Sequence, residues 1–344
     1  MELRRLGRTD LKVSAVGLGT MTWGIQNSEA EGHAQMDLAL EHGVNFWDTA
    51  EMYPIPPGQK TYGGTERIIG TWLKSRGRRD RIVLASKIMG AARAGFNWVR
   101  EGKNRLDAAN ITRAVEESLR RLQTDYLDLY QVHWPDRQTG LFGAAPGSAA
   151  DGVPLAETLG VFQRLIEQGK IRQVGLSNET PWGVMTCLKA AELAGLPRIA
   201  SLQNIYNLLS RAFEEGLAEI CRREEVGLLA YSPMGAGTLS GKYLNGARPP
   251  GSRRAIDARP SRYSAARTDA ATQAYVEIAR RHGLEPAQMA LAWVHRRPCV
   301  ASTLIGATSL EQLKQNIAAF DLTLPPDLLA ELNAVHRDNP TPAP

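Results

Sequence analysis

Short apolar runs that close on polar residues alternate along the chain with longer stretches whose apolar positions recur at helical spacing. The runs at 13–20, 45–50, 82–87, 126–133, 173–178, 200–204, 227–232 and 301–306 read as strands, being short and rich in Val, Ile and Leu. Between them the pattern changes period. The stretch 29–42 stops at Gly43, and TERIIGTWLKS brings Ile68, Ile69, Trp72 and Leu73 onto one helical face. Residues 110–122 open on Asn110 as a cap and repeat Ile111, Val115, Leu119 and Leu122; residues 155–168 carry Leu159, Phe162, Leu165 and Ile166 before Gly169.

Strands joined through helices run parallel, and eight right-handed crossovers of this kind close on themselves, so the pattern predicts an α/β chain folded as a (β/α)8 TIM barrel. Residues 1–344 then form a single domain, with MELRRLGRTDLKV as an N-terminal β-hairpin over one mouth. An open doubly wound sheet is the structural rival. Its dinucleotide fingerprint fails at the one promising place, where Gly17 and Gly19 are followed by Thr22 instead of a third glycine. Two segments break the alternation, 134–154 and 234–267. Both leave the C-terminal ends of strands, where such barrels build active sites, and both read as long active-site loops, the first of them mobile.

Composition narrows the function classes. With 43% hydrophobic and 22% charged residues the chain is an ordinary globular one. Its net charge of +5 is spread among 36 acidic residues with no basic arm, which argues against a nucleic-acid partner. No apolar run is long enough for a signal peptide or a membrane span, so no membrane association and a cytoplasmic location are expected. Cys187, Cys221 and Cys299 are widely spaced, and the 6 histidines form no HxH or HExxH, so neither a disulfide framework nor a metal site is expected. That disfavours a metal-dependent barrel hydrolase. Oligomeric state is not legible.

The candidate chemistry stands at the predicted strand ends: Asp48, Lys87, His133, Asn178, Gln203 and Ser232, with Tyr53 just beyond the second strand. Singly, each has a plain structural reading, such as a helix cap for Asp48 or a satisfied core histidine for His133. Jointly they converge on one mouth. Their joint occurrence on successive strands outweighs the plain reading of each.

The segments GLGTMTWG, NFWDTAEMYP, VLASK, RLQTDYLDLYQVHWPD, QVGLSNET, SLQNIYNLL, LLAYSPMGAGTLSGKYLNG and TLIGATSLEQLKQNI resemble the aldo-keto reductase superfamily, particularly its Tas-like bacterial branch, over nearly the whole chain. The resemblance implies NADPH-dependent, reversible reduction of aldehydes and ketones, with Asp48, Tyr53, Lys87 and His133 as the catalytic tetrad and Tyr53 as general acid. It also carries Ser177, Asn178 and Gln203 to the nicotinamide carboxamide, Tyr231 to stacking on the ring, and Gln312 and Asn316 to the adenine.

Around these, the backbone from Ser232 through Pro233 to Leu239, with Gly235 and Gly237, is expected to wrap the pyrophosphate, and Lys242, Gly306 and Thr308 are further cofactor-binding candidates. Ser309 reads as an N-cap with Gln312 as its capping-box partner. Arg253, Arg254 and Arg262 are candidates for an adenosine 2′-phosphate. One departure bears on this: Leu304, Ile305, Gly306 and Ala307 stand where many animal members carry a lysine on the last strand, so NADP+ over NAD+ rests on the arginine loop and the branch resemblance. Met21, Trp23 and Trp134 are expected to line the pocket for a small carbonyl substrate. The rival reading within the resemblance is an NADP(H)-binding regulatory or redox-sensing subunit with little turnover.

Overall fold

A computed structural model describes residues 1–91, 96–140, 152–257 and 261–343. The mobile stretch expected within 134–154 lies largely outside these residues. Strands β1 (Leu3–Arg5) and β2 (Lys12–Ser14) form an antiparallel hairpin. Eight parallel strands follow: β3 (Val16–Gly19), β4 (Phe46–Asp48), β5 (Val83–Ile88), β6 (Leu127–Val132), β7 (Ile171–Ser177), β8 (Ile199–Ile205), β9 (Gly227–Tyr231) and β10 (Val300–Ile305). They close into one barrel in the order β10-β3-β4-β5-β6-β7-β8-β9. The (β/α)8 barrel with an N-terminal hairpin is therefore the fold, and the doubly wound sheet is excluded.

Two local expectations need correction. The first apolar run is not one strand, because Lys12–Ser14 pairs back onto the hairpin while Val16–Gly19 enters the barrel. The Ser14 hydroxyl accepts the amides of Asn45 and Phe46, each at 3.1 Å, which turns the chain between the two pieces. The helix expected from Asn110 is Ala108–Leu122, and its cap is Asp107, whose carboxylate accepts the Asn110 amide at 2.9 Å. A carboxylate there also complements the positive end of the helix dipole.

The core has an inner and an outer layer. Inside the barrel, Phe46, Val83, Leu129, Leu229 and Leu304 meet Leu6 and Val13 of the hairpin, which plugs the N-terminal mouth. Gly17 belongs to this lumen. A Cβ there would come within 2.6 Å of the Leu304 side chain, so its glycine serves barrel packing and not a phosphate. Outside, helix faces pack on the strands. Ile68, Ile69, Trp72 and Leu73 are all buried as their spacing predicts, with Trp72 edge-on to Trp47 of β4 at 4.7 Å. Burying such a side chain contributes about 1.5–3 kcal/mol, which fixes strand ends such as Asp48 in place. Among the described residues no helix is long and apolar enough to cross a membrane, and no His, Cys, Asp or Glu group is placed to hold a metal ion.

Candidate active site

At the C-terminal end of the barrel, Asp48 closes β4 and Lys87 stands next to last in β5. The fully buried Lys87 Nζ donates to Asp48 Oδ2 at 2.6 Å and to the Thr49 carbonyl at 2.8 Å. Asp48 Oδ1 accepts Gln131 Nε2 at 3.0 Å and Gln203 Nε2 at 2.8 Å. Since a carboxylate only accepts, these contacts orient both amides and turn Gln203 Oε1 away from Asp48. Burial pushes the Lys87 amine down, and the adjacent Asp48 offsets only part of that, leaving it below the ordinary lysine range.

Tyr53 and His133 lie over this pair. Their rings stand edge to face with centroids 5.7 Å apart, and Lys87 Nζ is 5.0 Å from the Tyr53 ring centre. Burial, reinforced by the Asp48 carboxylate, pushes the Tyr53 phenol well up, so it keeps its proton. Burial and then Lys87 drive His133 well below the usual imidazole range, so its ring is neutral at neutral pH. Its Nδ1 is buried with no hydrogen-bond partner among the described residues. The four residues expected from the sequence thus meet at one mouth.

The next strands continue the wall. Ser177 Oγ donates to the Gln203 carbonyl at 2.8 Å, Asn178 Nδ2 to the His133 carbonyl at 2.9 Å, and the Tyr231 hydroxyl to Asn178 Oδ1 at 2.7 Å. From there a cavity of about 1140 Å³ runs past β9 and β10 to the helix Leu310–Ala318. It lies just above the ~300–1,000 Å³ typical of a ligand pocket, room for a long ligand. Asp48, Tyr53, His133, Ser177, Asn178, Gln203 and Tyr231 line one arm; Ser232, Pro233, Gly237, Lys242, Arg253, Gly306, Thr308, Gln312 and Asn316 line the other.

Residues 15–337 match the family model described as "Aldo/keto reductase family". The chain belongs to that family. It is 52% identical over the full length of both chains to "Protein tas" of Escherichia coli (strain K12). It is 33% identical to "Uncharacterized oxidoreductase YrpG" of Bacillus subtilis (strain 168), over 97% of this chain and 96% of that one. An "Aldo-keto reductase" of Babesia bovis is 39% identical over 75% of this chain and 96% of its own. As an aldo/keto reductase the chain is an oxidoreductase of general type.

Several expected contacts of this aldo/keto reductase fall elsewhere. Trp23 does not line the cavity; it is fully buried in the outer core with Nε1 donating to Gln35 Oε1 at 3.1 Å. Met21 and Trp134 do line it. Gly235, Leu239 and Arg262 are not among the lining residues. The amides of Gly235, Gly237 and Leu239 donate within the loop, to the carbonyls of Ser232, Met234 and Met234 respectively. Gly237 has another use: at φ +88 it leaves room for Lys242, whose Nζ would lie 3.2 Å from an added Cβ. Arg254 is held against Tyr243 at 4.4 Å and donates to the Tyr263 carbonyl at 2.6 Å, a contact that ties the loop together. Ser309 caps its helix by accepting the Gln312 amide at 3.2 Å, but the Gln312 side chain accepts from the Thr308 amide and hydroxyl, so the capping box is half formed.

Residues the sequence did not assign to the site also line this aldo/keto reductase's cavity, among them Thr20, Thr22, Gln26, Met52, Phe96, Ser240, Tyr243 and Ser252. Gln131, on Asp48, was visible in principle. It lies two residues before His133, and alternate residues of a strand share a face. Phe96 follows a stretch with neither strand nor helix period, so nothing in the pattern points to it.

Proposed function

We propose that this aldo/keto reductase reduces aldehydes and ketones to alcohols, reversibly, with NADPH/NADP+ as cofactor and a small carbonyl compound as substrate. The observation that carries the reading is the Lys87–Asp48 ion pair, 2.6 Å across, set behind a Tyr53 phenol whose ring is 5.0 Å from the amine. The residues fit the cofactor: a long cavity, amide and hydroxyl groups at one arm for a carboxamide, and cations at the other for phosphate. Bound there, the nicotinamide supplies the hydride that the carbonyl carbon accepts.

In this reading Tyr53 delivers its proton to the carbonyl oxygen as negative charge grows on it. Lys87 stabilises the phenolate left behind, and Asp48 neutralises and positions a lysine otherwise costly to bury. His133, neutral, hydrogen-bonds the carbonyl oxygen and orients it. Gln203, its Nε2 committed to Asp48, offers Oε1 to the carboxamide N–H groups, with Ser177 and Asn178 beside it. Tyr231, hydrogen-bonded to Asn178, supports the ring face.

Preference for NADPH rests on Lys242 and Arg253, which line the cavity without an ion-pair partner among the described residues. Met21, Met52, Phe96 and Trp134 give the substrate end an apolar, aromatic wall, which favours aromatic or apolar carbonyl compounds. Residues 1–344 act as one unit: Leu6 sits in the barrel lumen and the Ala343 amide donates to the Leu209 carbonyl at 3.0 Å. The three free cysteines suit a cytoplasmic setting.

The test follows NADPH absorbance with a panel of aromatic aldehydes. Rapid turnover supports the enzyme; tight NADPH binding without turnover of any member supports the regulatory subunit instead. Dissociation constants for NADPH and NADH test the cofactor, and a preference for NADH overturns it.

A further inference from the structure

Behind the tetrad stands a second buried ion pair that the proposed chemistry does not use. Glu51 lies two residues before Tyr53, and Arg100 reaches it from the segment after β5 with both terminal nitrogens, Nη1 to Oε2 at 2.7 Å and Nη2 to Oε1 at 2.9 Å. The two side chains are 0% and 4% exposed. The same carboxylate accepts the Met89 amide at 2.7 Å and the Tyr62 hydroxyl at 2.6 Å. Through its own amide, Glu51 donates to the Lys87 carbonyl at 3.2 Å. Burial alone pushes the Glu51 carboxyl up, but Arg100 and the other donors outweigh it and keep the group ionised.

Stability is a poor explanation for such a pair. Replacing a buried ion pair by apolar side chains of similar size is often neutral or stabilising. The surrounding backbone adds a second observation. Arg100 and Glu101 hold left-handed conformations, φ 46 and φ 58, which residues other than glycine, asparagine and aspartate seldom adopt. Around the pair, Phe96, Trp98 and Val99 pack with Met52, Tyr53, Met89 and Trp134 in one apolar cluster. Phe96 and Met52 reach the cavity from it. One carboxylate therefore ties together the turn that bears Tyr53, the strand end that bears Lys87, and the segment that forms the apolar wall.

We propose that Glu51 and Arg100 are positioning residues of the reductase site: their bidentate pair sets where the Tyr53 hydroxyl stands relative to Lys87 and to the Phe96 wall. This rests on the reading of Tyr53 as proton donor. Neither residue touches substrate; both act through the backbone and side chains they hold. A displacement on the order of 1 Å of a reacting group can cost about a hundredfold in rate, so a pair remote from the carbonyl still controls turnover.

The experiment compares wild type with the neutral double variant Glu51→Gln/Arg100→Met, which leaves no lone buried charge, and with Arg100→Lys, which keeps the charge but loses the two-pronged contact. Three quantities are read: kcat and KM with an aromatic aldehyde, the NADPH dissociation constant, and amide hydrogen exchange in the cofactor-free protein. In the double variant kcat should fall about tenfold or more, with NADPH affinity within about twofold, because neither Glu51 nor Arg100 lines the cavity and the residues proposed to hold the cofactor stand on β7 to β10 and beyond. Exchange should quicken in residues 50–55 and at Met89 while β7 to β10 keep their protection. Arg100→Lys should fall between the two.

Wild-type kcat and wild-type exchange in either folded variant would overturn the proposal. So would loss of protection throughout the barrel together with loss of NADPH affinity, which would make the pair a general stabiliser. If the double variant does not fold, Arg100→Lys decides on the same readouts. A wild-type protein that turns over no carbonyl compound defeats the Tyr53 reading instead, and the exchange measurement still decides whether the pair frames that segment.

Discussion

The two arms of the cavity are built on opposite electrostatic plans. Around β4, β5 and β6 the buried charges are matched: Lys87 by Asp48, Arg100 by Glu51, Arg121 by Glu66. Beyond β9, Lys242 and Arg253 line the cavity with no ion-pair contact among the described residues, the Asp257 carboxylate acting on Arg253 only through space. A paired buried charge is fixed before any ligand arrives, whereas an unpaired cation waits for an anion to complete it. On the proposed reading, the matched arm is preorganised for a neutral carbonyl group and the other would be completed by phosphate.

Breaking the paired arm should have the largest effect. Lys87→Met leaves Asp48 as a lone buried carboxylate, and removing one partner of such a pair costs about 3–5 kcal/mol. Urea unfolding should show that loss, and carbonyl reduction should fall at least about a hundredfold. A folded variant with wild-type stability would mean that Asp48 does not depend on its lysine.

Removing a cation from the open arm should act first on cofactor binding and, because the Arg253 guanidinium also acts on the buried Tyr53 phenol, to a smaller degree on turnover. Arg253→Ala should weaken NADPH by about 10- to 100-fold, the scale of a hydrogen bond between charged groups, and leave NADH nearly unchanged. Fluorescence titration with both cofactors measures it. Equal losses for the two would remove Arg253 from any role with the 2′-phosphate.

Acidity probes the paired arm by a separate route. Burial and Lys87 keep His133 neutral in the folded chain, while the unfolded chain takes up that proton near pH 6.5. The unfolded state then binds more protons as pH falls below that value, so stability declines on the acid side and is fully present above it. His133→Gln should flatten that decline in urea midpoints taken between about pH 7 and pH 5. The reduction rate itself should show no step at the ordinary histidine range.

The smallest effect concerns the pocket wall. Trp134→Ala should raise KM for aromatic aldehydes, whereas Trp23→Phe should leave KM alone and cost about 1 kcal/mol of stability through the lost Gln35 contact. A changed KM in Trp23→Phe would return that residue to the substrate pocket.

The same contrast decides what could be read from the sequence. Strand-end residues were legible because the barrel period fixes where a strand stops, and Asp48, Lys87 and His133 each stand at such a stop. Tyr53 needed only a short turn from β4. Residues in the long loops were legible by type but not by direction: Arg253 enters the cavity, while its neighbour Arg254 turns to Tyr243 and Thr238. Trp23 illustrates the same limit, since it follows a strand end but folds back under the helix Glu29–Glu41 to reach Gln35. Glu51 and Arg100 pair across 49 residues, and no local period links them.

The central claim is that Tyr53 supplies the proton that completes carbonyl reduction. A single-turnover experiment tests it: Tyr53→Phe is loaded with NADPH, mixed rapidly with an aromatic aldehyde, and followed by cofactor absorbance. With Tyr53 as proton donor, NADPH affinity should stay like wild type and the rate should fall by at least about a hundredfold. A wild-type rate in that variant would contradict it.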